Sequence, residues 1–342
     1  MKRRTLLRAS LGLGVGVLAG AAWFGRTDST APASDNVSAG LSQHLRSGRV
    51  FGTNATLRVL HSDSSAANAA LDDAFARMVA VDSLMSVLRE DSQVAVLNRM
   101  GVLESPDRHL VDVLSVARDL SARTGGAFDV TVQPLWRIYA EAQQGGGLPS
   151  SDRLAAARAL VGWQRLEATP DRVRLQDSGM AITLNGLAQG YGADVAVAAL
   201  REHGIEHALL DTGEFGTIGS KEANAPWVLG IRDPRNADVI ATRVPMDGRF
   251  LSTSGDYETC FTADFMHHHI FDPARGDSPL ELASVTVLAP SGILADGLST
   301  AFMVLGHERS LALANELDRV DALFIAKDGT RWATNGFPRL PA

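Results

Sequence analysis

The chain is almost without cysteine: Cys260 is the single thiol in 342 residues. One thiol cannot form an intrachain disulfide. Its distance from the N-terminus also rules out lipid attachment at an N-terminal cysteine. Basic residues are the minority, 32 against 39 acidic, for a net charge of −7. Aromatics are scarce at 6%. Without a basic patch or a basic aromatic-rich segment, the sequence lacks the footprint of a nucleic-acid binder. No internal repeat is visible. No glycine-bearing turn matches the dinucleotide GxGxxG pattern or a Walker loop. The remaining composition, 45% hydrophobic and 21% charged, is that of a globular chain long enough for one large domain or two small ones.

Long apolar runs are also missing, with one exception near the start. Lys2-Arg3-Arg4 precede Leu6-Leu7 and a Gly/Ala-rich stretch from Leu11 to Phe24, with small residues at Ala19 to Ala22. That run is short for a spanning helix. Residues 1–30 therefore read as a cleaved signal peptide of the twin-arginine type, rather than a membrane anchor. This expectation places the mature protein in the periplasm, exported already folded and not as a lipoprotein. Residues 31–48 are small and polar and read as a flexible leader. The folded domain is expected over 49–342.

Within that domain the most informative stretch is 283–306. Ser284 to Ala289 reads as a buried strand, and Pro290-Ser291-Gly292 breaks it. Ile293, Leu294, Leu298, Ala301, Phe302 and Leu305 then recur at helical spacing until Gly306. Asp296 and Thr300 interrupt this apolar helix four residues apart, so they share a face. A buried carboxylate beside a hydroxyl is costly unless satisfied. A divalent cation with oxygen ligands such as Mg²⁺ satisfies it; so would an N-terminal Asp with a Thr bonded back to its own helix.

Other segments carry weaker signals. A strand is expected from Ala55 to His61, then a helix capped by Ser64 or Ser65 and running to about Ser86. Ser105-Pro106-Asp107 reads as a helix start with Pro at the first helical position. Gly125-Gly126, before Ala127-Phe128-Asp129, can let backbone pass close to a large ligand, or can end a helix before a buried strand. Ala181 to Leu184 reads as a short strand entering Asn185 to Asp194. That sequence of strand, glycine turn and helix N-terminus can cradle a phosphate. Ile240 to Pro245 and Arg249 to Ser252 read as a hairpin around Asp247-Gly248. His267-His268-His269, taken as strand, would alternate faces, so one general base is a better reading than a three-histidine metal site.

Taken together these segments resemble the ApbE family, the FAD:protein FMN transferases, from Phe51 to about Gly306. The resemblance rests on Phe51-Gly52-Thr53, on Met85-Ser86 with Asp91-Ser92 and Asn98, and on Gly126-Ala127-Phe128-Asp129 with Thr131. It continues through Gly186 to Asp194, Gly213-Glu214, Thr253 to Tyr257, His269 to Gly276, and Ser284 to Thr300. The family implies an α+β fold of mainly antiparallel sheets with packed helices, similar to a T-fold, with FAD in a central cleft. It implies Mg²⁺-dependent transfer of FMN from FAD onto a Thr or Ser hydroxyl of an acceptor flavoprotein, releasing AMP. By family position Asp296, Thr300 and the Gly186 carbonyl would hold the metal. Phe51, Ala127, Phe128, Asp129, Thr183, Gln189 and Ile270 would lie along FAD, and His269 would be the base. The chain departs from the family pattern at Gln189, where Lys or Glu is usual, and at Gly213-Glu214, where a glycine pair is usual. Ser299 stands where some members have a second acid, and Leu88 where Tyr is frequent. A signal without a lipid-attachment cysteine is similar to the NosX-like periplasmic subgroup, whose acceptor is a NosR-type membrane protein of nitrous oxide respiration. The same site could instead hydrolyse FAD to FMN and AMP, or only bind it.

Overall fold

The computed structural model describes residues 40–222 and 225–340. The expected signal peptide lies outside them. The described chain opens with strands β1 (Ser42–Val50) and β2 (Thr53–His61), a hairpin turning on Phe51-Gly52. Both turn residues have positive φ, 52° and 77°, as a tight two-residue hairpin requires. Residues 42–48, expected to be leader, are thus paired strand. The composition misleads because β1 is a sheet edge with mostly exposed side chains.

Helix α1 (Ser64–Met85) follows, capped by Asp63 rather than by a serine: its carboxylate accepts from the Ser65 and Ala66 amides. Next come α2 (Gln93–Met100), β3 (Val102–Glu104) and α3 (Arg108–Arg123). Asp107 caps α3, so Pro106 lies just outside the helix instead of at its first position. Helices α4 (Gln133–Gln144) and α5 (Ser151–Ala159) lead to a small hairpin, β4 (Leu166–Ala168) and β5 (Arg172–Leu175). Then come α6 (Ala188–Glu202), β6 (Ala208–Asp211), β7 (Phe215–Ile218), β8 (Val228–Asp233), β9 (Asn236–Pro245) and β10 (Phe250–Gly255). The chain ends through β11 (Leu282–Ala289), α7 (Gly292–Leu305), α8 (His307–Glu316), β12 (Asp321–Ala326) and β13 (Arg331–Ala333).

The architecture is α+β, as expected. Eight strands form one sheet in the order β1-β2-β6-β7-β10-β11-β12-β13, every neighbour antiparallel. β11 is buried at all eight positions. Such a strand is covered on both faces and reads as a continuous apolar run instead of an alternating one. Helices α1, α6 and α7 share one core with the sheet, built on Leu57, Met78, Val197, Val285 and Phe302. A second core lies between the sheet and the β8–β9 hairpin, where Leu229, Ile231 and Val244 meet Leu209, Phe215, Leu251 and Leu288.

Three local expectations are corrected. β9 pairs with β8, not β10; the Asp247-Gly248 turn hands the chain from that hairpin to the main sheet. Ala181 to Leu184 joins no sheet. It is mostly apolar and buried, but its backbone is satisfied by the Asn98 side chain, which donates to the Ile182 carbonyl (2.8 Å) and accepts from the Ile182 amide (2.7 Å), and by the Val130 carbonyl, which accepts from the Thr183 amide (2.8 Å). The glycine pair 125–126, both at positive φ, leads into a 3-10 turn at Val130–Val132 rather than a strand.

Candidate active site

A cleft of about 680 Å³ opens between the helical layer and the β8 edge of the molecule. Phe51, Ala127, Phe128, Asp129, Thr183, Gly186, Gln189, His269, Ile270, Asp296 and Thr300 all line it. Residues spread over 250 positions of sequence therefore meet on one surface.

α7 supplies the charged end. Asp194, on α6, accepts from the Gly292 (2.6 Å) and Ile293 (2.9 Å) amides and so caps α7 from a neighbouring helix. The two helices touch through glycine: a methyl group on Gly190 would sit 2.5 Å from the Gly292 carbonyl carbon and 2.7 Å from the Asp296 Cβ. At this crossing the Gly190 amide donates to Asp296 Oδ2 at 3.1 Å. Thr300 does not bond back to its own helix. Its hydroxyl lies 3.3 Å from the Ser254 hydroxyl, and it is Ser299 that donates to the Asp296 carbonyl. Gly186 lies beside Thr300; a Cβ there would be 3.0 Å from Thr300 Oγ1.

Electrostatically this end is under-satisfied. Burial pushes the Asp296 carboxyl well up; the Gly190 amide opposes this and the Asp194 charge adds to it. Glu214, in the β6–β7 turn, is buried and its carboxyl is also raised, by burial first and then by the Asp296 charge. Its Oε2 has no hydrogen-bond partner. Two adjacent buried carboxylates without a basic side chain acting on either suit a divalent cation, so the residues fit a magnesium site of the kind the sequence suggests. Asp296, Thr300 and Gly186 stand together at this end of the cleft. Among the described residues, no three His, Cys, Asp or Glu side chains form a ready-made metal cage.

Asp129 lines the cleft but is already engaged. Its Oδ1 accepts from the Thr131 amide and hydroxyl (2.7 and 2.6 Å), and its Oδ2 from the Trp163 amide (2.9 Å). It therefore shapes the Ala127–Phe128 wall. Phe51, in a left-handed conformation that costs a non-glycine residue about 1–3 kcal/mol, puts its ring against Gly192 at the other wall.

The three histidines diverge. The segment is not a strand; a single bridge pairs His268 with Cys260. His267 Nδ1 bonds the Asp277 carboxylate at 2.8 Å, and His268 is fully buried. Only His269 faces the cleft. Its Nδ1 is sealed from water with no partner, and desolvation lowers its pKa to about 4, so the ring is neutral at pH 7. The loop carrying it is anchored through Asp256, which takes a two-pronged bond from Arg235 (2.8 Å each) and one from Lys327 (2.9 Å). Lys327 also donates to the Phe265 carbonyl in that loop.

Sequence reasoning missed several cleft residues. Glu214 was legible only as a departure from a glycine pair. Glu258, next to the Thr-Ser-Gly-Asp-Tyr run, is raised to about 7 by burial, with Arg232 opposing. Trp136 on α4 had no motif to mark it. Leu88, which the sequence marked as a departure from a frequent Tyr, stands at the lip, 71% exposed.

Comparison with known proteins gives one answer throughout. The sequence model of the ApbE family matches residues 51–324. An FAD:protein FMN transferase of Treponema pallidum is 31% identical over 84% of this chain and 85% of its own length. One from Vibrio cholerae is 31% identical over 86% and 91%. Among solved structures, the flavin transferase ApbE from Vibrio cholerae superposes with a TM-score of 0.75 at 27% identity, covering 87% of this chain and 98% of that one. The Pseudomonas stutzeri flavinyl transferase ApbE, apo form, also gives 0.75, at 32% identity over 86% and 95%.

Proposed function

The chain belongs to the ApbE family, and from that premise we propose that it is an FAD:protein FMN transferase, moving FMN from FAD onto an acceptor protein. The observation that carries this reading is the cleft itself, which brings a half-buried neutral histidine and a cation-demanding acidic end onto one surface.

The chemistry follows from that arrangement. Asp296, Thr300 and the Gly186 carbonyl would hold Mg²⁺, which when bound would neutralise charge on the FAD pyrophosphate. Phe51 and Phe128 supply flat apolar contacts, and Thr183, Gln189 and Ile270 complete the wall along FAD. His269 takes the proton from an acceptor Thr or Ser hydroxyl. The hydroxyl oxygen attacks the phosphorus of the FMN half, a phosphoester forms, the pyrophosphate P–O bond breaks, and AMP leaves. Asp129 keeps the Ala127–Phe128 wall in place, and Asp256 keeps the His269 loop in place.

The site of action in this reading is the periplasm. It is supported by the twin-arginine pattern of residues 1–30 and by the lack of a lipid-attachment cysteine. The same features favour the NosX-like subgroup and a NosR-type acceptor. Among the described residues no helix is long and apolar enough to cross a membrane.

The direct test incubates the protein with FAD, Mg²⁺ and a periplasmic flavoprotein domain bearing a candidate acceptor threonine, then reads the intact mass of that domain. A covalent FMN adduct that disappears on adding chelator is expected. Free FMN and AMP without an adduct would instead favour FAD hydrolysis, and intact FAD would favour a binding protein.

A further inference from the structure

We propose that Glu214 is a second acid of the cation site, acting beside Asp296 from a different element of the fold. The inference rests on the cation-site reading above and adds a residue that the family pattern did not mark.

Three observations carry it. Glu214 is only 5% exposed and lines the cleft, and its Oε2 has no partner. A buried carboxylate oxygen left unpaired costs several kcal/mol in a molecule with nothing to offer it. Second, Glu214 and Asp296 line the same cleft, and Asp296 is the charge that acts most strongly on Glu214. Third, a line of hydroxyls joins Glu214 to the other expected metal group. Ser252 donates towards Glu214, the Ser252 and Ser299 hydroxyls are 3.1 Å apart, Ser299 and Ser254 are 2.7 Å apart, and Ser254 reaches Thr300 at 3.3 Å. Glu214, Asp296 and Thr300 are thus walls of one polar chamber.

The backbone supports the placement. Gly213, at φ 95°, lets the β6–β7 turn bring Glu214 inward, and a Cβ at Gly213 would stand 2.8 Å from Gln189 Nε2. Two carboxylates from α7 and the β6–β7 turn together match the charge of a divalent cation. Ser299 serves as the hydroxyl link, and the second negative charge comes from across the chamber. Glu214 acts on the cation directly or through its coordinated water; either route tightens cation binding, and neither requires contact with FAD.

The test reads cation binding without acceptor and without turnover. Mn²⁺ serves as the probe, titrated into the FAD-loaded protein while the electron paramagnetic resonance signal of free Mn²⁺ is followed. Wild type is compared with Glu214→Gln, Glu214→Asp and Asp296→Ala. Glu214→Gln keeps the shape and removes the charge, and Mn²⁺ affinity should fall about 10- to 100-fold. Glu214→Asp keeps the charge on a shorter arm and should fall between that variant and wild type. The gain in Tm on adding Mn²⁺, taken against each variant's own cation-free Tm, gives a second readout that a shifted baseline does not mask. Wild-type affinity in both Glu214 variants, with loss in Asp296→Ala, overturns the role of Glu214 alone. Wild-type affinity in Asp296→Ala as well overturns the cation-site reading on which it rests.

Discussion

Replacing Gly190 with alanine should damage stability and chemistry together. The added methyl would lie 2.5 Å from the Gly292 carbonyl carbon and 2.7 Å from the Asp296 Cβ. Carbon atoms in comfortable contact are about 3.5–4.0 Å apart, so α6 and α7 must separate locally by about 1 Å. Backbone on one side and a short side chain on the other leave no flexible group to yield. Overpacking of this kind costs about 1–3 kcal/mol. The same movement stretches the 3.1 Å bond from the Gly190 amide to the Asp296 carboxylate, a bond to a charged group worth about 1.5–3 kcal/mol. The two losses overlap, and a total of about 3 kcal/mol is expected. A displacement near 1 Å at Asp296 should also cost about 100-fold in transfer rate. Urea unfolding and intact-mass kinetics on one preparation measure both. Gly204→Ala is the control: Gly204 is at positive φ, 74°, unlike the helical Gly190, and nothing lies within 4 Å of its added Cβ. That variant should lose about 1 kcal/mol and keep its rate. If Gly190→Ala unfolds and turns over like wild type, the helices do not cross as closely as described and the reasoning fails.

The other predictions concern pH, the base and the irregular wall. Burial raises Asp194 to about 6 from an ordinary 3.8, so the folded protein holds this proton more tightly than the unfolded chain. The resulting stability is complete below about pH 3.8 and is lost as pH rises through about 6, a fall of up to about 3 kcal/mol. Urea midpoints between pH 4 and 7.5 should show a fall that is smaller in Asp194→Asn, the remainder coming from Asp296 and Glu258, which burial also raises. His269→Ala should bind FAD as wild type does and transfer about 10²- to 10⁴-fold more slowly; unchanged turnover removes it as base. Because the His269 pKa is lowered to about 4, its proton-accepting form persists well into acid, and kcat/KM should show no loss from this group between pH 8 and 5. Asn98→Ala strips both bonds from the Ile182 backbone and should cost about 1–3 kcal/mol in chemical denaturation.

Much of the site was legible because its residues break local rules. Asp296 and Thr300 are polar in an apolar helix, and His269 and Gly186 sit in short, recognisable runs. Every candidate named from the sequence reached the cleft. The strands of the sheet were legible where a strong apolar run met a turn, as at Ser284 to Ala289. The misses have specific physical causes. β1 is polar because it is an edge, so its composition resembles a leader. Ala181 to Leu184 is as apolar as a strand, but one asparagine side chain takes the place of a neighbouring strand. The Asp247-Gly248 turn has hairpin chemistry, yet pairing partners are set by the sheets on either side of it. Glu214 stood out only as a departure from a glycine pair, because nothing in its neighbours announces that a turn carboxylate will be buried. Its importance depends on Asp296, which lies far along the chain.

The crossing of α6 and α7 has a consequence for how the protein is made. Its contacts join Gly190 to Asp296 and Asp194 to Gly292, pairs 106 and 98 residues apart. The β11–β12 pairing flanks α7 in sequence. Contacts of such separation form late, because the intervening chain must be ordered before they repay its entropy. A growing polypeptide therefore has no complete cleft until α7 has emerged and docked, and shortened chains that stop before it would lack Asp296 and Thr300. Ligand capture can thus report completed folding: a preparation that retains FAD in the presence of a divalent cation is one in which the last third of the chain has found its place.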